Sequence, residues 1–257
     1  MRVDASAHLG AWPFRGGIEG TVSGLTAAMR NAEVEGALLS PLAPLLHNDP
    51  APANDEFVRQ LRGRAHLWAV PMVNPRMSDA AQYVAQLAKL RQVRGVRLVP
   101  NFHGYRLEDA GEVVQAAAEC GLTVVVQLRM QDERSHLPTF RVPPVPLAEA
   151  VDLAATTSAR IVAAAAKIAD VEHRETAGRI RERRNLWLDT SHLDGLACLR
   201  RACKAVGASR LLMGTCWPLF YARSAALKVA EAELSPRDQA AITGGNAVRA
   251  FRLPTVG

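Results

Sequence analysis

Two hydrophobic patterns alternate along this chain from one end to the other. Short runs of aliphatic and β-branched residues predict strands, and stretches with apolar residues every three or four positions predict amphipathic helices. Leu122–Leu128 is almost continuously β-branched or aliphatic, as expected for a strand buried on both faces. The predicted strands are Arg2–His8, Gly36–Ser40, His66–Val73, Gly95–Val99, Leu122–Leu128, Arg160–Ala166, Leu186–Thr190 and Leu211–Gly214.

A predicted helix follows each strand, so the chain consists of repeated strand-and-helix units. No Pro-, Gly- or Ser-rich linker divides the 257 residues. Eight such units in this length predict a single (β/α)8 TIM barrel, with residues 1–257 as one domain. A doubly wound open sheet is the alternative, but the first strand runs into His8-Leu9-Gly10 and lacks the glycine fingerprint of that fold. The predicted helices are Thr21–Val34, Pro50–Arg62, Asp79–Leu90, Glu108–Glu119, Leu147–Thr156, Val171–Arg184 and Leu193–Val206, followed by C-terminal helices.

In a TIM barrel the chemistry belongs at the carboxyl ends of the strands, which points to a first candidate cluster. His8 ends the first strand, His192 lies just beyond the seventh and Cys216 just beyond the eighth. The first and eighth strands are neighbours in a closed barrel. A thiol beside an imidazole forms a nucleophile–base pair, so these three are the candidate catalytic residues. The alternative is that Cys216 only fills space in the core.

A second candidate cluster follows the fourth and fifth strands. Guanidinium groups bind carboxylates and phosphates through paired hydrogen bonds, so the arginines predict a site for a small anionic organic molecule. A salt-bridge network with Asp132 and Glu133 is the alternative interpretation. The candidate binding residues are Asn101, His103, Tyr105, Arg129, Arg134 and His136.

Composition excludes a disordered chain, a collagen-like repeat and a bundle of membrane helices. The chain is 49% hydrophobic and has 31 Lys and Arg against 25 Asp and Glu, a net charge of +6, which is typical of a globular protein. No apolar run reaches the ~18 residues of a membrane span, and the N-terminus does not resemble a signal peptide. The spacing of the four cysteines does not indicate a disulfide framework, so a cytoplasmic protein is predicted.

The net positive charge is not accompanied by the sequence motifs that are typical of nucleic-acid-binding proteins. The densest basic run, Arg179–Arg184, ends a predicted helix, where cations suit the helix dipole. No basic–aromatic interleaving or zinc-finger spacing accompanies it, so neither a nucleic acid nor a membrane is expected as a partner. The sequence leaves the oligomeric state open, a homo-oligomer included.

The motifs of the chain resemble a known family. The segment VDASAHLG is similar to the first strand of the amidohydrolase superfamily, in which D-x-H-x-H-x-G supplies two metal ligands. More closely, the chain looks like the TIM-barrel metal-dependent hydrolases related to aminocarboxymuconate-semialdehyde decarboxylase. The similar stretches, which run over essentially the whole chain, are AWPFR, GVRLVPNFHGYRLED, VVVQLRMQDERSH, LLMGTCWPLF and ITGGNAVRAF.

The resemblance implies five metal-ligand positions, and most of them have changed. The first-strand pair falls on Ser6 and His8, the fifth-strand histidine on Gln127 and the eighth-strand aspartate on Cys216. The sixth-strand histidine falls within Ala163–Ala166. A catalytic zinc site needs about three protein ligands, so no metal ligand is assigned and no cofactor is predicted. A weakly bound divalent metal, zinc or manganese, is the alternative.

These observations lead to two hypotheses about function. The first is a hydrolase or decarboxylase of a small carboxylated substrate whose family metal ligands are mostly replaced. The second is a non-catalytic barrel that binds a small anionic ligand or serves as a partner subunit.

Overall fold

Eight parallel strands form the centre of the molecule. The structure, a computed structural model, describes residues 1–254. A ninth strand, β2, is a two-residue antiparallel partner of the end of β1. The strands are β1 (Val3–Ala11), β2 (Glu19–Gly20), β3 (Gly36–Pro41), β4 (Leu67–Ala69), β5 (Gly95–Leu98), β6 (Thr123–Gln127), β7 (Arg160–Ala164), β8 (Leu186–Asp189) and β9 (Leu211–Leu212).

The strands close into a barrel. Regular ladders join β1, β3 and β4 on one side and β5 to β9 on the other. Backbone hydrogen bonds bridge the two remaining seams: Arg97 N donates to Pro71 O at 2.7 Å, and His8 N donates to Trp217 O at 2.7 Å. The predicted TIM barrel is therefore confirmed, and the open doubly wound sheet does not form.

The helices lie where the apolar periodicity predicts them, with two differences. The helix predicted over Val171–Arg184 divides at His173, whose ψ of 120° is not helical. The helix predicted from Leu193 begins only at Cys198, after a turn that belongs to the barrel mouth. No helix within residues 1–254 has the length and apolar content to cross a bilayer.

The helices are as follows: α1 (Val22–Asn31), α2 (Ala51–Gln60), α3 (Ala80–Leu87), α4 (Pro100–His103), α5 (Gly111–Glu119), α6 (Leu147–Thr156), α7 (Ile168–Glu172), α8 (Arg174–Glu182), α9 (Cys198–Val206), α10 (Ala222–Ala230), α11 (Pro236–Ala240) and α12 (Asn246–Phe251).

Strand alternation sorts the side chains into an outer and an inner core. In β6, Val124 and Val126 belong to the large cluster that packs against the surrounding helices. Val125, between them, belongs to a second cluster inside the barrel, together with Trp187. Side chains of α12, among them Phe251, complete this inner cluster. The amino-terminal half of the barrel interior is therefore a packed apolar core.

A register shift in β1 changes which of its side chains face inward. The pairing of β1 with β3 is irregular between Asp4 and Ala7. Before the shift Val3 belongs to the inner cluster, whereas after it Ala7 and Leu9 belong to the outer one. Such irregularities commonly redirect a side chain near a functional site. The shift leaves the even-numbered His8 on the inner side of the strand.

Candidate active site at the barrel mouth

A layer of polar side chains lies above the apolar core of the barrel. Five strands contribute one side chain each by the same alternation, and each of these side chains is at most 4% exposed. Burying so many polar groups costs free energy unless they bind one another or a ligand. The layer consists of His8 from β1, Ser40 from β3, Arg97 from β5, Gln127 from β6 and Asp189 from β8.

Arg97 brings a positive charge into the barrel. Its side chain is 0% exposed, its Nε donates to Ser40 Oγ at 2.7 Å, and one Nη donates to Gln127 Oε1. Its Nη2 has no hydrogen-bond partner among residues 1–254. Burial lowers the pKa of Arg97 to about 10, against the opposing influence of Asp189. The guanidinium therefore stays charged at neutral pH and has donor capacity to spare.

Asp189 organises the turn after β8. Its Oδ1 accepts from Ala165 N at 3.0 Å, from Ser191 N at 3.1 Å and from Ser191 Oγ at 2.7 Å. The Ser191 hydroxyl also lies 3.1 Å from His192 Nδ1. Because the carboxylate can only accept, the hydroxyl proton points to Asp189 and the Nδ1–H of His192 donates to Ser191 Oγ. An Asp189–Ser191–His192 chain thus selects one tautomer of the imidazole.

This tautomer leaves His192 with a free basic nitrogen. Its Nε2 is buried and has no hydrogen-bond partner among the described residues. Burial lowers the pKa of His192 to about 4, and the nearby Arg129 charge lowers it as well, whereas Asp189 raises it. The imidazole is neutral at pH 7, and its Nε2 lone pair can accept a proton.

His8 lies between these groups. It is 0% exposed, and neither ring nitrogen has a hydrogen-bond partner within residues 1–254. Burial lowers the pKa of His8 well below its usual value, and the charge of Arg97 lowers it further. A neutral imidazole with two unpartnered nitrogens has both a donor and an acceptor available for a ligand.

Cys216 lies next to β1, as its position after the eighth strand predicts. Its backbone N donates to Ser6 O at 2.7 Å, and its φ of 55° is left-handed. Burial raises the pKa of the Cys216 thiol far above its ordinary value, and Asp189 raises it further. His8 makes no hydrogen bond to it. Cys216 therefore lies beside the strand that carries His8, without the hydrogen bond that would generate a thiolate.

The second candidate cluster divides into two groups. Asn101, Arg129 and His136 line one small pocket of about 10 Å³, room for a single water. Arg129 is 9% exposed and pairs with Glu133 at 3.7 Å and Asp170 at 3.5 Å. These contacts are those of the salt-bridge interpretation, because both carboxylates compete with any external anion for the guanidinium.

The other three residues of that cluster lie away from the pocket. His103 is buried, its Nε2 lies 3.1 Å from Pro44 O, and burial lowers its pKa. Tyr105 is also buried, and burial raises its pKa far above the usual range. The side chain of Arg134 is 87% exposed and pairs with Asp132 at 2.8 Å. The structure therefore does not bring these three together with the polar layer.

An apolar cluster covers the mouth. Trp12 and Phe14, which follow β1, meet edge to face at 5.0 Å, and Phe14 stacks on Phe140 at 4.9 Å. Leu42 and Met130, which follow β3 and β6, belong to the same cluster. This cover separates the polar layer from water, which strengthens electrostatic interactions beneath it.

The residues at the mouth do not fit a catalytic metal ion. Among residues 1–254, no three or more His, Cys, Asp or Glu side chains are arranged to hold one. Ser6 and Gln127 are poor ligands, Ala163–Ala166 provide none, and the thiol of Cys216 is held neutral by burial. The buried charge of Arg97 also opposes a second cation beside it.

Arg97 is the main site residue that the sequence did not lead us to expect. Arg97 stands between Val96 and Leu98 in a strand whose other residues are apolar. Strict alternation places it on the opposite face from both neighbours, and in a barrel that face is the interior. A lone charge at an inward position of a buried strand was the available signal.

Comparisons with known proteins agree with the fold. A family model described as amidohydrolase matches residues 16–253. No curated protein matches the chain in sequence.

Several solved structures are similar over nearly their whole length. The 5-carboxyvanillate decarboxylase of Sphingomonas paucimobilis superposes with a TM-score of 0.74 at 15% identity, covering 98% of this chain and 99% of that one. A dihydroxybenzoic acid decarboxylase from a Polaromonas species, with bound manganese and 2-nitroresorcinol, has a TM-score of 0.74 at 16% identity, covering 99% and 98%. A probable 2-pyrone-4,6-dicarboxylic acid hydrolase from Acinetobacter baumannii, with citric acid bound, has a TM-score of 0.69 at 14% identity, covering 98% and 99%. At these identities the likeness establishes the shared fold.

Proposed function

Because the chain belongs to the amidohydrolase family, we propose that it is a hydrolase of a small carboxylated molecule in which Arg97 takes over the electrostatic role of a metal ion. The observation that carries the proposal is a set of buried polar atoms at the barrel mouth that have no partner among residues 1–254. These atoms are His8 Nδ1 and Nε2, Arg97 Nη2, Asp189 Oδ2 and His192 Nε2.

Such a set supports a ligand-binding role. A buried polar atom without a partner costs about 1–3 kcal/mol, so several at one place are expensive unless a ligand or water binds them. Arg97 offers a cationic donor, His8 a neutral donor and acceptor, and His192 a base. A molecule with a carboxylate or a polarised carbonyl matches this combination.

The proposed mechanism is general-base hydrolysis. Nε2 of His192 accepts a proton from water as the water oxygen bonds to the carbonyl carbon of the substrate. Nη2 of Arg97 donates to the oxyanion that develops on the carbonyl oxygen. When the tetrahedral intermediate collapses, the bond to the leaving group breaks and the imidazolium returns its proton to that group. Asp189 and Ser191 hold the Nδ1–H tautomer throughout.

Decarboxylation is the second candidate reaction, and the fold similarity to decarboxylases supports it. A guanidinium bound to the reacting carboxylate, however, stabilises the ground state and opposes loss of CO2. The charge of Arg97 therefore favours hydrolysis. Ligand binding without catalysis is a further candidate, since the unpartnered polar atoms of the mouth could bind a ligand as well as a substrate.

The test combines an activity screen with metal analysis. The purified protein is incubated with 2-pyrone-4,6-dicarboxylate, 5-carboxyvanillate and 2,6-dihydroxybenzoate while acid release and CO2 release are followed separately. We expect acid release that chelation leaves unchanged, and less than stoichiometric zinc or manganese. Arg97→Met and His192→Gln should each lower kcat/KM at least ~100-fold, the effect of losing an oxyanion donor or a general base.

Arg59→Gln is the matched control, because Arg59 is exposed on α2 and pairs only with Glu56 among the described residues. Its activity should equal that of the unaltered protein. Stoichiometric metal with chelator-sensitive activity would overturn the metal-independent mechanism. Calorimetric binding of a carboxylate without turnover would favour the binding alternative, and CO2 release would favour decarboxylation.

A further inference from the structure

A second cavity lies at the opposite end of the barrel from the mouth. Its walls are the turn before β4, the turn before β5 and the chain after α12, and its volume is about 550 Å³. That volume falls within the range of small-molecule sites. It is lined by Arg64, His66, Trp68, Arg91, Arg94 and Pro254, with smaller and neutral residues between them.

The charge around this cavity is one-sided. Three arginines line it and no acidic residue does. None of Arg64, Arg91 and Arg94 forms a salt bridge with any residue of 1–254, whereas several other arginines, such as Arg2, Arg179 and Arg201, pair with a carboxylate. Like charges held together without counter-charges repel one another, and a bound anion relieves that repulsion.

Arg94 has a buried nitrogen that makes no hydrogen bond within residues 1–254. It is partly buried, and its Nε is inaccessible to solvent and has no hydrogen bond within residues 1–254. Arg91 lines the same cavity as Arg94. Burial lowers the pKa of Arg94, and the charge of Arg91 lowers it further. Two neighbouring guanidiniums match the oxygen atoms of a phosphate group.

Two aromatic side chains, Trp68 and His66, form another wall of the cavity. Trp68 is 5% exposed and packs so closely on Gly36 that a Cβ there would lie 2.8 Å from its ring. His66, at a left-handed φ of 63°, meets Trp68 edge to face at 6.1 Å. A left-handed conformation in a non-glycine residue is strained and persists only where its surroundings impose it. The arginines therefore line the same cavity as a buried, closely packed aromatic side chain.

We propose that this cavity is a second binding site, specific for the phosphate groups of a small phosphorylated molecule. It is separate from the catalytic mouth, because it opens at the amino ends of β4 and β5 whereas the polar layer lies at the carboxyl ends. The site does not depend on the reaction at the mouth. A ligand bound here contacts the turns that lead directly into two barrel strands.

Calorimetric titration with inorganic pyrophosphate tests the proposal. We expect saturable binding of one pyrophosphate per chain. Arg91→Gln with Arg94→Gln should weaken it about tenfold or more, since each substitution removes charge-assisted hydrogen bonds. Because Arg94 is partly buried, the single variant Arg91→Gln, at an exposed position, is measured as well and should weaken binding in the same direction.

Two further variants separate this site from general charge effects and from the mouth. Arg30→Gln removes the same charge from an exposed position on α1 and should leave pyrophosphate binding unchanged. Arg97→Met, which should abolish function at the mouth, should also leave it unchanged. The proposal is wrong if the unaltered protein shows no saturable binding, if Arg30→Gln weakens it as much as Arg91→Gln, or if Arg97→Met abolishes it.

Discussion

At the scale of single residues, the tautomer of His192 decides what the mouth can do. Burial lowers the pKa of His192 to about 4, so its imidazole is neutral and carries a proton on only one nitrogen. The imidazole can accept a proton at Nε2 only when that single proton is on Nδ1. Ser191 determines this, because its hydroxyl bridges Asp189 Oδ1 and His192 Nδ1. Ser191 is therefore a positioning residue that acts through His192.

The substitution Ser191→Ala tests this role. Without the hydroxyl, His192 loses the hydrogen bond that selects its tautomer, and kcat should fall about 10–100-fold with little change in KM. Nitrogen NMR shifts of His192 should change from a single tautomer to a mixture, which a purely structural effect would not produce. Ser191→Thr, which keeps the hydroxyl, should restore most of the activity. An unchanged tautomer in Ser191→Ala would contradict the proposed chain.

At the scale of elements, close packing between the chain after β9 and its neighbours fixes the position of Asp189. Gly214 follows β9, and a Cβ there would lie 3.1 Å from the Cβ atoms of both Asp189 and Ser6. Both neighbours are buried, so neither can move into solvent. The absence of a side chain at this position lets Asp189 reach the turn that carries Ser191.

The substitution Gly214→Ala should therefore destabilise the fold and disturb the site. Overpacking of this kind costs about 1–3 kcal/mol, and displacement of Asp189 should lower activity more than the stability loss explains. Gly178→Ala is the matched control, because nothing lies within 4 Å of a Cβ there and the position is inside α8. Chemical denaturation should show it to be about 0.5–1 kcal/mol more stable than the unaltered protein.

At the scale of the whole molecule, the barrel closes through a buried carboxyl group. Asp4 Oδ1 accepts from Thr215 N at 2.9 Å and Asp4 Oδ2 accepts from Thr215 Oγ1 at 2.5 Å, which ties β1 to the chain after β9. Burial raises the pKa of Asp4 to about 6, although the hydrogen bonds from Thr215 lower it. Closure of the barrel is therefore linked to pH.

Asp4 should make the folded state less stable as pH rises. Because its pKa is higher in the folded than in the unfolded chain, its contribution is fully present below about pH 4 and is lost as pH rises through about 6. The free energy of unfolding of the unaltered protein, minus that of Asp4→Asn, should fall by up to about 3 kcal/mol over this range. His8 and His192 have lowered pKa values and act in the opposite direction, but they cancel in this difference. Urea denaturation between pH 4.5 and 7 provides the measurement, and a pH-independent difference would refute the linkage.

The period of the hydrophobic pattern was enough to predict most of the fold. Local patterns report burial on one face or two, so they identified the eight strands, most of the helices and, by their number, a closed barrel. The motifs also indicated the family and the replacement of its metal ligands at Ser6, Gln127 and Cys216.

Other features depended on contacts between distant parts of the chain. Sequence patterns do not reveal that a register shift in β1 leaves His8 facing the interior, or that Asp170 is a partner of Arg129 in addition to Glu133. Nor do they show that Cys216 is too buried to ionise, since a pKa depends on neighbours brought together only by folding. The sequence by itself determined the barrel and the family, because both follow from local periodicity and motif order. Only the tertiary structure decided that Arg97 and the chain from Asp189 to His192 form the centre of the mouth, because their chemistry arises from burial and mutual distance.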